Sequence, residues 1–85
     1  MAETDRLEIR AFVEKLLAER DDRAPFGDAE SLVESGRLDS LAVVTLVTFL
    51  ESEFDVDFAE IEFDPQRFDS VEELVSIVDE AKGRS

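Results

Sequence analysis

Residues 41–54 read LAVVTLVTFLESEF, and whether this stretch is a strand or a helix decides the fold. Its three Val and two Thr suit a buried strand, because β-branched side chains pack well on a pleated surface. Periodicity within so apolar a run does not by itself exclude that reading. Two features favour a helix. Val43, Val47, Leu50 and Phe54 continue at helical spacing into the polar end, and the run through Phe54 is long for a strand. No second segment offers itself as a pairing partner either. The stretch reads as a helix, largely buried because it is apolar on several faces.

Working outward, Ile9, Phe12, Val13, Leu16 and Leu17 fall on one helical face, with Thr4 as N-cap and an end near Arg20 or Asp21. Residues 21–39 hold Pro25, Gly27 and Gly36 and read as a long loop. One short helical turn fits around Asp28–Glu34, closed by Gly36 in a left-handed conformation. After Phe54 a second loop leads to Pro65, which is suited to open a short helix. Ser70 and Glu73 have the spacing of a capping box, and Val71, Leu74, Val75 and Val78 define a last helix with a frayed KGRS tail. The expected fold is all-α: a small four-helix bundle with three main helices and one or two short ones.

The 85 residues suffice for a single domain, 1–85, that buries only about 60% of its unfolded surface. With nine basic and 23 acidic residues the net charge is −14. Such a surface repels nucleic acid and anionic membranes and repels itself, so salt or divalent cations are expected to stabilise it. There is no Cys and no His, hence no thiolate nucleophile, no disulfide and none of the usual proton-transfer groups for neutral pH. Asp55-Val56-Asp57 suggests a calcium loop, but an EF-hand needs an oxygen ligand and then Gly where Ala59 and Glu60 stand, so no metal site is expected. No run is long enough to span a membrane, and the MAETDRLEIR start lacks a signal peptide's basic and apolar regions. A soluble cytoplasmic monomer is the expectation.

One hydroxyl stands out. Ser40 lies in Gly36-Arg37-Leu38-Asp39-Ser40-Leu41, at the mouth of the decisive helix. Asp39 or Ser40 suits the N-cap, since both side chains accept bonds from free backbone N–H groups. Those same groups and the helix dipole favour an anion, so a phosphate ester on Ser40 would sit in a favourable field.

This stretch, followed by Val44, Val47, Leu50-Glu51 and Phe54-Asp55, resembles the acyl carrier protein family. Leu32-Val33-Glu34-Ser35-Gly36 is similar to the family's lead-in from the first loop, and Phe54-Asp55-Val56 to its exit from the second helix. The resemblance implies a 4′-phosphopantetheine arm, derived from coenzyme A, on Ser40. Asp39 and Leu41 would be recognised by the phosphopantetheinyl transferase that attaches it. The arm's thiol would hold an acyl or aminoacyl group as a thioester, in the setting of fatty-acid or other lipid metabolism. Further partners implied are a loading ligase and a downstream acyltransferase or synthase with a basic docking surface. The chain itself would not be an enzyme. Docking would use Leu41, Ala42, Thr45, Glu51 and Glu53. Fatty-acid carriers have acids at the positions of Ala42 and Thr45, and that departure points to dedicated partners. Glu62-Phe63-Asp64 with Arg67-Phe68-Asp69 resembles D-alanyl carrier proteins, although Phe63 and Phe68 read first as core residues. The competing reading is an unmodified, carrier-like acidic scaffold or regulatory protein.

Overall fold

The computed structural model describes residues 3–58 and 65–84. Three α-helices appear in the order α1 (Glu3–Glu19), α2 (Ser40–Phe54) and α3 (Val71–Arg84), with a 3-10 turn at Pro65–Phe68 before the last. No strand occurs among the described residues. The helical reading of 41–54 is correct, and Pro65 opens a short element as expected. That element is a single four-residue 3-10 turn and not a further α-helix. Glu62, Phe63 and Asp64, like Ala59 and Glu60, lie outside the described residues.

Helix ends follow local chemistry. Thr4, expected as the cap of α1, lies inside it, because the helix already includes Glu3. Asp21 ends α1 in the left-handed region (φ 60), with its N–H on the Ala18 carbonyl and the Asp22 N–H on the Leu17 carbonyl. Glycine usually fills this position; aspartate is among the few residues that tolerate it. Asp55 ends α2 in the same way (φ 56), and Gly36 is left-handed as expected (φ 87). Ser70 caps α3 by accepting from the Glu73 N–H at 3.2 Å. The C-terminal tail stays helical through Arg84 instead of fraying at Lys82, whose ammonium pairs with Asp5 of α1.

All three helices and the first loop supply the core. Ile9, Val13, Leu16 and Leu17 come from α1, and Ala42, Val43, Leu46 and Leu50 from α2. Val71, Leu74, Ile77 and Val78 of α3 join Phe68 and Val56. The inward stripe of α2 is rotated from the expected one, since Val47 and Phe54 are only partly buried. Phe12 is likewise half-buried, its ring stacked on Phe49 at 4.0 Å.

The segment between α1 and α2 contains turns at Gly27–Glu30 and Val33–Gly36 but no helix, so the helical turn expected at 28–34 is absent. Phe26, Leu32 and Leu38 anchor it in the core. Polar contacts fasten it further. Asp28 accepts from Arg6 and Arg10 of α1, and its carbonyl accepts from the Glu72 N–H of α3 at 2.9 Å. The Asp69 carboxylate takes the N–H groups of Val33 (2.8 Å) and Glu34 (2.9 Å).

Candidate functional site

The loop delivers the chain to α2 through Arg37-Leu38-Asp39. Arg37 lies in the bend of the loop with 16% of its side chain exposed. It donates to Asp22 through Nε (2.8 Å) and Nη2 (2.9 Å), to Glu30 (2.7 Å), and to the carbonyls of Ala24 (2.8 Å) and Pro25 (3.3 Å). These bonds hold Arg37 firmly protonated, and the Arg37 guanidinium, with the Ala24 N–H, holds Asp22 below the usual carboxylate range. A planar fork suits such a set of acceptors, whereas a lysine ammonium does not. Leu38 then plugs into the core, and its N–H reaches the Leu32 carbonyl at 2.8 Å.

Asp39 is the N-cap of α2. Its backbone is extended (φ −101, ψ −176), and its Oδ1 accepts the Ala42 N–H at 2.9 Å. Arg20, just past α1, donates to Oδ2 at 2.6 Å. The Ala42 N–H, and after it Arg20, depress the Asp39 pKa. The sequence left the cap open between Asp39 and Ser40, and the backbone decides for Asp39. Ser40 becomes the first helical residue. It is exposed, and no hydrogen bond among the described residues holds its hydroxyl.

The geometry fits a phosphodiester. The N-terminus of α2 has no acid in its first turn, and the one adjacent carboxylate, Asp39, is already paired. The positive end of the helix dipole therefore meets an anion on Ser40 with little opposing charge. No group of three or more potential ligands could hold a metal among the described residues. No described helix is long and apolar enough to cross a membrane.

The residues expected at the docking face separate. Leu41 (76% exposed) and Thr45 stand out beside Ser40, whereas Ala42 is turned into the core at 6% and has little surface to offer. Glu51 and Glu53 are exposed at the opposite end of α2. Sequence reasoning missed Arg20, Arg37 and Val44. The first two are cations in an acid-rich chain, which is a signal, but Arg20 pairs 19 residues away and Arg37 both 15 and 7 residues away. Val44, quoted only as part of the resemblance and given no role, is 62% exposed.

The chain matches the family model described as "Phosphopantetheine attachment site" over residues 8–78 and belongs to that family. Domains of this family carry a covalently attached 4′-phosphopantetheine group and interact with phosphopantetheinyl transferases and partner enzymes. Neither a curated protein nor a solved structure matches the chain.

Proposed function

We propose that the chain is a single carrier domain that holds an acyl or aminoacyl group as a thioester on a phosphopantetheine arm at Ser40. The observation that supports this most directly is the division of labour at the start of α2. Asp39 caps the helix, which leaves the Ser40 hydroxyl exposed and untied at the anion-favouring end. In the attachment step the Ser40 Oγ would bond to the pantetheine-side phosphorus of coenzyme A. The bond from that phosphorus to the bridging oxygen breaks, and 3′,5′-adenosine bisphosphate leaves. The Ser40 proton passes to a base of the transferase, because this chain has no His or Cys to take it at neutral pH. The bound arm supplies the thiol that the sequence lacks. Asp39 and Leu41, on either side of Ser40, are the recognition contacts for the transferase. The domain itself performs no chemistry and presents its cargo to a loading ligase and an acceptor enzyme.

Intact-protein mass after incubation with coenzyme A and a broad-specificity phosphopantetheinyl transferase tests this reading. One phosphopantetheine adduct is expected on the wild type and none on Ser40→Ala, with circular dichroism unchanged because Ser40 is exposed. A folded wild type that takes no adduct would leave the unmodified-scaffold reading in its place.

A further inference from the structure

We infer that enzymes working at Ser40 dock through an apolar groove that α2 forms with α1, and that the surface they bring is apolar, not basic. The inference rests on the carrier reading, which is what brings such enzymes to this end of the molecule.

The charge distribution comes first. In a chain of net −14, no residue from Ser40 to Leu50 is charged. The one acid beside the serine, Asp39, is engaged by Arg20 and by the Ala42 N–H. The next acid on α2 is Glu51, eleven residues on, or about 16 Å along the axis. That separation is twice the Debye length of about 8 Å at physiological ionic strength. A basic partner centred over Ser40 would therefore meet no usable countercharge on this helix.

The face offers apolar surface instead. Among the described residues only Leu7, Leu41 and Val44 are large hydrophobic side chains that stand exposed. Two of these three lie on α2 within about one helical turn of Ser40. Thr45 and Thr48 sit beside them, and their hydroxyls donate back to the carbonyls of Leu41 (3.0 Å) and Val44 (3.2 Å). Hydroxyls satisfied in this way need no polar group from a partner. Beyond Val44 the surface dips into a cavity of about 350 Å³. Its walls are Val44, Thr45, Thr48 and Phe49 of α2 with Phe12 of α1, and Ser52 and Glu53 close the far end. The Phe12 and Phe49 rings stack with only 7° between their planes, which gives the cavity an ordered aromatic wall. A concave apolar site with a polar rim takes a buried anchor, such as a Leu, Met or aromatic side chain of the partner.

The probe for the test is the phosphopantetheinyl transferase with coenzyme A, acting on the full chain. The KM for the chain is expected to change less than about twofold as NaCl rises tenfold, since an apolar contact is not screened. Val44→Asp should raise KM about tenfold, equivalent to 1.4 kcal/mol, with kcat unchanged and the helical signal intact. Glu51→Gln, which removes the nearest acid on α2 without touching the groove lining, should leave KM as it is. A KM that climbs steeply with salt and in Glu51→Gln, with Val44→Asp silent, would overturn the inference in favour of a basic partner. Sedimentation showing a dimer that Val44→Asp dissolves would overturn it too, by assigning the face to a second copy of the chain. If the wild type is not modified at all, the carrier reading itself has failed, and that outcome differs from both.

Discussion

The loop of residues 20–39 and helix α2 meet at Ser40, yet they are held in place by opposite means. Helix α2 is regular, free of charge over most of its length, and attached mainly by Ala42, Val43, Leu46 and Leu50 in the core. The loop has no helix or strand and is fastened by directed contacts: Arg37 to Asp22 and Glu30, Arg6 and Arg10 to Asp28, and Asp69 to the Val33 and Glu34 N–H groups. Apolar burial positions a helix loosely in rotation but holds it against salt and pH. Ion pairs and charge-assisted bonds fix geometry, because each has a direction, but they depend on ionisation. Ser40 takes its placement from the loop and its surroundings from the helix.

Acid should break this symmetry most. Asp22, Asp28, Asp39 and Asp69 all titrate below the ordinary value of 3.8. For Asp28 and Asp69 burial alone would push the pKa up, and the hydrogen bonds they accept outweigh it. A carboxylate whose folded pKa is depressed contributes stability above its unfolded pKa and loses that contribution as pH falls through the folded value. Stability should therefore hold from pH 7 down to about 4, helped slightly by the relief of self-repulsion, and fall below that. The amides of residues 22–38 are expected to lose hydrogen-exchange protection at higher pH than those of α2. Simultaneous loss in both regions would mean that loop and helix form one cooperative unit.

A smaller effect is expected from Arg37→Ala, which removes one fastener instead of several. Protection should fall over residues 22–38 and the melting temperature by a few degrees, on the order of 4–8 °C for each kcal/mol lost in a domain of this size. Arg37→Lys should recover little of it, because an ammonium cannot serve Asp22, Glu30 and two carbonyls together. Full recovery with Lys would show that charge alone, without the fork geometry, holds the loop.

The same contrast explains what the sequence disclosed. Helical spacing through Phe54 and the capping box at Ser70 are local signals, and both led to correct elements. The rotation of α2 was not legible, because a run apolar on several faces has no unique inward stripe; hence Ala42 and Leu46 are core while Val44 is exposed. Fastening of the loop was not legible either. Arg37 had 23 acids to choose from, and its choice of Asp22 and Glu30 depends on how the chain turns at Asp21 and Gly36. The proposal of Ser40 as the attachment site comes from a contiguous motif, which a sequence can display without knowledge of the fold. The separation of Ser40 from the capping role was not legible, since aspartate and serine cap equally well and only the Asp39 backbone angles distinguish them.

Asp39 joins the two regions, and the smallest change asks which of them it serves. Its Oδ1 belongs to the helix, as acceptor of the Ala42 N–H, and its Oδ2 to the loop side, as partner of Arg20. Asp39→Asn keeps a cap, because asparagine caps about as well as aspartate, but it removes the charge that Arg20 pairs with. An exposed ion pair contributes little to stability. The expected melting temperature is therefore close to that of the wild type, and its dependence on NaCl should hardly change. Asp39→Ala removes both contacts and should melt measurably lower, with the loss concentrated in the first turn of α2. If the Asn variant melts as far below the wild type as the Ala variant, the Arg20 pair and not the cap is what holds the start of α2, and Ser40 owes its position to the end of α1 as much as to its own helix.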